Sequence, residues 1–239
     1  MLLNPNLEII DLALWLKKEQ ILIISDLHLG YEEYLQQKGV FLPKFQLAEI
    51  VKSLKSIFKK VKPATIVING DLKHEFGRVL KQEWKEVLQL IDFLLQNCRK
   101  LILIKGNHDL ILGPIASKKN VEIVNEHQIN DILIIHGDKL VQKTTAKTLI
   151  IGHEHPAITL KEKGKIEKYK CFLLGKWKNK SLIVLPSFNP LLEGTDIVKE
   201  RLLSPFLSNI SNFRVVVVGK EEAFDFGKHI SLLAAVGAY

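Results

Sequence analysis

Short apolar runs alternate with polar clusters along the first two thirds of this chain. Ile21-Leu22-Ile23-Ile24, Thr65-Ile66-Val67-Ile68, Leu101-Ile102-Leu103-Ile104, Ile132-Leu133-Ile134-Ile135 and Leu149-Ile150-Ile151 are built from Ile, Leu and Val almost throughout. Runs this short and this uniform predict strands buried on both faces. Between the first three the period changes. Residues 45–60, following Pro43, predict an amphipathic helix with Leu47, Ile50, Val51, Leu54 and Phe58 inward, and residues 82–96 a second with Trp84, Val87, Leu88, Ile91 and Leu95 inward. Residues 7–10 and 13–16 predict short strands ahead of the first run. The second half is strand-rich, with residues 182–185 ending at Pro186-Ser187-Phe188-Asn189-Pro190 and a closing hairpin over residues 215–218 and 223–226. Strands alternating with helices and then strands alone predict a layered α/β core.

The ends of the five runs carry the chemistry. They open into Ser25-Asp26-Leu27-His28, Asn69-Gly70-Asp71-Leu72-Lys73-His74, Lys105-Gly106-Asn107-His108-Asp109, His136-Gly137-Asp138 and Gly152-His153-Glu154-His155. In open α/β sheets ligands sit beyond the carboxyl ends of strands, so one rim of the sheet is expected to collect these groups. One histidine at a strand end is usually a satisfied polar residue. Most of the chain's 8 histidines at such ends, beside Asp, Asn and Gly, form a rim that is costly unless something binds there. Carboxylates, a carboxamide and imidazoles together suit Mn²⁺, Fe²⁺ or Zn²⁺ better than Mg²⁺ or Ca²⁺.

The order Asp-x-His, Gly-Asp-x-x-His, Gly-Asn-His-Asp, His-Gly and Gly-His-x-His, spanning Ile21 to Pro156, resembles the calcineurin-like metallophosphoesterase superfamily. Gly70-Asp71-Leu72-Lys73-His74 is similar to its SbcD-type nuclease branch. Asp26-Leu27-His28-Leu29-Gly30-Tyr31-Glu32, with Gly39 and Pro43, resembles the small SbcD-related and DNA-ligase-associated phosphoesterases. The resemblance implies a two-sheet mixed β-sandwich flanked by helices, a single domain over residues 1–239, and two divalent metal ions, Mn²⁺ first, with Fe²⁺ or Zn²⁺ as alternatives. It implies that Asp26, His28 and His155 hold one ion, that Asn107, His136 and His153 hold the other, and that Asp71 bridges both. A single carboxylate can serve two ions ~4 Å apart, and a water between them becomes hydroxide near neutral pH and attacks the phosphorus in line. His108 takes the place used near the leaving group, with Asp109 beside it, and an imidazole can supply the proton a departing alkoxide needs. His74 matches the extra histidine of the nuclease branch, facing the phosphodiester or else exposed on a loop. Glu154 points away, and Asp138 orients a ligand histidine or simply makes a turn.

Composition narrows the partners. A net charge of +8 and pI near 9.3 favour anions, here a phosphoester, single-stranded nucleic acid or nucleotides. The excess is lysine-rich, with arginine at positions 78, 99, 201 and 214 alone. Its densest part, Lys161 to Lys180, suggests either a solvated hairpin face or a phosphate-tracking surface. No apolar run approaches a membrane span of ~20 residues, and the first residues lack a signal peptide's order. Cys98 and Cys171 stand in no metal spacing and suggest a reducing cytoplasm. No phosphate loop, dinucleotide fingerprint or nucleophile elbow occurs. At 239 residues the chain leaves no room for a duplex-capping domain. The expected activity is hydrolysis of phosphodiesters. Phosphomonoesterase, nucleotide-pyrophosphate hydrolase and a metal-binding scaffold without activity are the alternatives.

Overall fold

The computed structural model describes residues 1–75, 80–112, 115, 120–162, 165–220 and 222–236. Arg78, Lys163 and the hairpin residue Glu221 lie outside the described residues. The first sheet has the order β1 (Leu7–Ile10), β2 (Ala13–Leu16), β3 (Ile21–Ser25), β4 (Thr65–Asn69), β5 (Lys100–Ile104) and β6 (Val121–Val124). β1 to β3 run antiparallel, and β3 to β6 run parallel. The second sheet has the order β13 (Thr195–Asp196), β10 (Pro156–Glu162), β11 (Lys165–Trp177), β12 (Lys180–Val184), β9 (Thr148–Ile151), β8 (Ile132–Ile135) and β7 (Glu126–Ile129). β14 (Arg214–Val218) and β15 (Ala223–Lys228) extend it from β11. The mixed two-sheet sandwich flanked by helices is therefore the architecture observed.

Alternation along β3 shows why the runs had to be apolar throughout. Ile21 and Ile23 face the second sheet with Val67, Ile102, Ile104, Ile134, Ile150, Phe172 and Ile183. Leu22 and Ile24 face the other way, with Ile66, Ile68, Leu101 and Leu103, against helices α2 (Gln46–Lys60) and α3 (Lys81–Leu95). The outer face of the second sheet is covered by Phe206, Leu207, Ile210 and Phe213. Each motif strand thus lies between two apolar layers. In α2, Ile50, Leu54 and Ile57 are buried, and in α3 Val87, Leu90, Ile91 and Leu94 are. The expected residues Leu47, Val51, Phe58, Trp84, Leu88 and Leu95 flank the core, partly buried. The buried stripe of each helix is thus rotated slightly from the one expected.

Two elements carry no such periodicity. Helix α1 (Tyr31–Gln37) is a single polar piece, and α4 (His229–Val236) follows β15 directly. The five motif strands also belong to two sheets: β3, β4 and β5 to the first, β8 and β9 to the second. The functional rim is formed where the carboxyl ends of both sheets meet, which corrects the expectation of one sheet edge. Among the described residues no helix is long and apolar enough to cross a membrane.

Candidate metal centre

The strand ends deliver their ligands through strained backbone. Asp26 (φ 54°), His28 (φ 44°), Asp71 (φ 45°), His153 (φ 65°) and His155 (φ 51°) all occupy the left-handed region. Side-chain-bearing residues avoid it, and such strain persists where surrounding structure fixes it, commonly at functional sites. The surroundings here are specific. The Asp26 and His28 amides donate to the carbonyls of Gly70 (3.2 Å) and Asp71 (2.8 Å). The His153 amide donates to the Asp26 carboxylate at 3.0 Å, and the Ser25 hydroxyl lies 2.7 Å from Asp26 Oδ2. Glycine is required by close approach at Gly106, where a Cβ would stand 2.1 Å from Asp71 Oδ1, and at Gly152, where it would stand 2.0 Å from Ser25 Oγ.

The side chains then converge. Ligand atoms of Asp26, His28, Asp71 and His155 lie within 4.8 Å of one another, as do those of Asp71, His136 and His153. Asp71 belongs to both groups. His28 Nε2 is 3.4 Å from His155 Nε2 and 3.5 Å from Asp71 Oδ2, and His155 Nε2 is 3.3 Å from Asp26 Oδ1. On the other side His136 Nε2 is 3.4 Å from Asp71 Oδ2 and 3.0 Å from Asn107 Oδ1. All seven expected ligands are brought to this one place. A third group, His28, His74 and His108, adjoins the first.

The donor set fits divalent cations. Asp26 and Asp71 are buried, and the ion pairs formed with their carboxylates are to histidine. Burial favours the neutral acid, yet the hydrogen bond and charge of His155 hold Asp26 below its usual value, and those of His136 do the same for Asp71. Burial, reinforced by His155, pushes His28 down to about 3, and burial with His136 lowers His153. His136 goes the other way: burial lowers it, but Asp71 and Asp26 outweigh that and raise it to about 9. Asp26 and Asp71 are thus held ionised and His28 and His153 neutral, as metal ligands must be, whereas His136 has to give up its proton to join them. His28 offers Nε2 towards Asp71 and His155, so with a cation there its proton sits on Nδ1, which is 3.4 Å from His74 Nδ1. His74 then accepts that proton's hydrogen bond and fixes the tautomer of the ligand.

His108 sits at the edge of the cluster, its amide donating to Asp71 Oδ1 at 2.9 Å. Its Nδ1 is bonded to the His74 carbonyl, which turns Nε2 inward, 4.0 Å from Asp71 Oδ2. Asp109 is turned away. Its buried carboxylate accepts the amides of Leu72 (3.2 Å), Lys73 (3.3 Å) and Gly106 (3.1 Å), tying two ligand loops together. Glu154 also points away, accepting the amides of Leu203 and Ser204 at 2.8 Å. Asp138 pairs with Lys139 at 3.6 Å and is one of the charges that raise His136.

Residues for which the sequence suggests no role also support the site. Glu83, buried on α3, accepts the amides of His74 and Glu75 at 2.9 Å. Glu32 accepts those of Phe45 and Gln46, and Gln46 donates to the His28 carbonyl at 2.8 Å. Lys170, expected on a solvated or phosphate-tracking face, is instead partly buried, with its ammonium turned inward. Its ammonium donates to the Ser187 carbonyl (2.8 Å), the Ser187 hydroxyl (3.0 Å) and the Asn189 carbonyl, while Asn189 donates to the Leu27 carbonyl at 2.8 Å. The Pro186 to Pro190 loop is thereby pinned to the rim. The sequence signal for Lys170 was its register: it pairs with Ala157, two residues beyond His155.

Burial lowers Lys170 from 10.5 to about 7. Between those values the unfolded chain holds a proton that the folded chain lacks, so stability rises with pH over that window. Wild type should therefore gain stability relative to Lys170→Met as pH is raised from 7 to 10. Thermal melts of both proteins across that range check it, and a difference independent of pH would rule out the depressed ammonium.

A model of the calcineurin-like phosphoesterases matches residues 20–219. Among solved structures, the nuclease MPE of Pseudomonas putida is 17% identical, with a TM-score of 0.64 over 90% of this chain and 91% of that one. The E. coli phosphoesterase Yfce is 13% identical, with a TM-score of 0.45 over 87% and 99%. Wild-type Vps29 from Entamoeba histolytica, complexed with zinc, is 15% identical, with a TM-score of 0.38 over 87% and 99%. No curated protein matches the chain.

Proposed function

Because this chain belongs to the calcineurin-like phosphoesterase family, we propose that it is a two-metal phosphodiesterase acting on nucleic-acid strands or nucleotide-type diesters. The observation that carries the reading is Asp71, buried and shared between two imidazole–carboxylate clusters. Asp26, His28 and His155 would hold one cation, Asn107, His136 and His153 the other, with Asp71 common to both. Mn²⁺ is the cation we assign first, with Fe²⁺ or Zn²⁺ as alternatives that suit the same mixed oxygen and nitrogen donors. Bound divalent cations would supply the Lewis acidity and the activated water that phosphoester hydrolysis needs near neutral pH.

The chain's own groups do the rest. The buried carboxylates and the imidazoles would hold the cations in a rim whose backbone is already strained into place. His108 delivers a proton from Nε2 to the departing oxygen. Asp109, which the sequence placed beside His108 as a catalytic group, is assigned instead to holding the Asp71 and Asn107 loops in register. His74 orients His28 and closes the side of the rim on which the second ester group of a diester would lie. The free thiols Cys98 and Cys171, both raised by burial, fit the reducing cytoplasm in which we place the protein. The solved nuclease shares the fold, and the choice of diester rests on this chain's rim and on its +8 charge.

The test compares kcat/KM of the Mn²⁺-loaded protein on matched p-nitrophenyl mono- and diesters, with a single-stranded oligonucleotide alongside. Diesters should be preferred, and the oligonucleotide should be cleaved with a rate that falls as salt rises. His74→Ala should depress diester cleavage more than monoester cleavage, with metal content measured to separate lost substrate contact from lost ion. A clear monoester preference without oligonucleotide cleavage would make the protein a phosphatase. Inactivity at full metal loading would make it a scaffold.

A further inference from the structure

Tyr31 and Tyr34 are placed where neither the metals nor the hydrophobic core explains them. They lie three residues apart on α1, on one face of the helix, and that helix starts two residues beyond Leu29, close behind the candidate ligand His28. Their rings stack at 5.9 Å between centroids with planes 19° apart. Both are partly exposed. Each meets His74 edge-on, Tyr31 at 4.9 Å and Tyr34 at 4.8 Å. His74 in turn lies 5.4 Å from His28 and 5.4 Å from His108. A continuous series of rings therefore leads from the metal cluster outward to two tyrosines. The Lys38 ammonium stands over Tyr34, 5.6 Å from its centroid.

The arrangement is fixed from behind. The backbone of His74 is held by Glu83 at 2.9 Å and by the Leu29 carbonyl at 2.8 Å. Gly30 admits no side chain, since a Cβ would meet Glu83 Cγ at 2.9 Å. The segment bearing His74 and the start of α1 are thus locked to one buried carboxylate. Aromatic rings held in this way beside a phosphate site match one chemical class: a planar base joined to the phosphate by a sugar. The tyrosine pair lies one imidazole away from the candidate ligands, as a base lies one sugar away from its phosphate. Stacking on tyrosine accepts any base, because every base has a π-face, and Lys38 is a cation for the next phosphate along.

We propose that Tyr31 and Tyr34 form a stacking wall for the nucleoside next to the scissile phosphate, so that the enzyme selects nucleoside-bearing diesters from single strands over simple alkyl diesters. The inference rests on the phosphodiesterase reading and names its substrate class. It is tested with two diesters sharing one leaving group, thymidine 5′-(p-nitrophenyl phosphate) and methyl p-nitrophenyl phosphate. Wild type should favour the thymidine ester. Tyr31→Leu and Tyr34→Leu should reduce the ratio of kcat/KM between the two by about tenfold or more, within the range that loss of one stacked base produces. The corresponding Phe variants should restore it, since the face and not the hydroxyl is used, and circular dichroism melts would identify any variant that fails to fold. Equal losses on both esters, or a wild type that cleaves both without preference, would overturn the wall while leaving the phosphodiesterase reading standing. If wild type cleaves neither, that reading fails. The wall is then judged by anisotropy of a fluorescein-labelled oligothymidylate: weaker binding in the Leu variants keeps it, and unchanged binding removes it.

Discussion

Asp71→Asn is expected to strip metal from both halves of the centre and to lower kcat by roughly 10³-fold or more, since cation Lewis acidity and water activation are lost together. Among the described residues it is the one carboxylate common to both clusters. Asparagine keeps its size, so the tight fit of Gly106 against it should survive, and the change isolates the charge. The same substitution at Asp26, which belongs to one cluster, should empty one site preferentially. Elemental analysis of the purified variants, with turnover on a p-nitrophenyl diester, gives the comparison. Two ions per chain and near-normal turnover in Asp71→Asn would end the bridging assignment. Loss of one ion in both variants would mean two independent sites with no shared ligand.

The parts of the fold that were legible from sequence are those governed by burial. A strand between two apolar layers must be apolar at every position, so β3, β4, β5, β8 and β9 appear as unbroken runs, and the change to metal-type residues at their ends marks the rim. α2 and α3 cover one face of a sheet and show it as a stripe. What escaped notice depends on tertiary partners. Helix α1 has no apolar stripe, because it is held by Glu32 and Gln46 acting on backbone groups of neighbouring loops. The assignment of the motif strands to two sheets is invisible locally, since both sheets use the same kind of strand. Lys170 belongs to a basic stretch that reads as either a solvated or a phosphate-tracking face. Only its pairing with Ala157 brings it under the Pro186 to Pro190 loop. The role of Asp109 was hidden for a related reason: adjacency to His108 suggested shared chemistry, whereas residues adjacent on an irregular loop can point in opposite directions, here towards the backbone amides of Leu72, Lys73 and Gly106.

The candidate ligands can be named from the sequence residue by residue, but the strain of their backbone cannot. Five of the seven candidate ligands have left-handed backbone, and no residue-type preference in the sequence announces it, since Asp and His tolerate that region better than most but rarely choose it. The strain has a physical consequence for assembly. Each such residue costs of order 1–3 kcal/mol, which the interlocked loops must offset before any metal arrives. The centre is therefore held largely by protein contacts, namely Asp109 across two loops, Glu83 behind His74, and the amide of His153 on Asp26.

His108→Ala should retain both ions and lose about 10²-fold or more in kcat, the scale of a missing general acid. The geometry separates it from the ligands. Its Nδ1 donates to the His74 carbonyl and so keeps its own proton, which leaves Nε2 as the nitrogen that can exchange one. A proton delivered from Nε2 leaves a neutral imidazole that still satisfies the carbonyl, so the side chain need not move during the step. The requirement for that proton depends on the leaving group. An alkoxide or deoxyribose oxygen is a strong base and needs it, while p-nitrophenolate departs unaided. The loss should therefore be large for a dinucleotide or alkyl diester and small for the p-nitrophenyl ester of the same nucleoside. Measuring kcat for both, with metal content determined on the same preparations, decides between roles. A loss that follows leaving-group basicity identifies the acid. An equal loss for both substrates at full metal occupancy would mean that His108 positions the phosphate through its charge. A loss that tracks missing metal would make it a ligand, completing the third histidine cluster with His28 and His74.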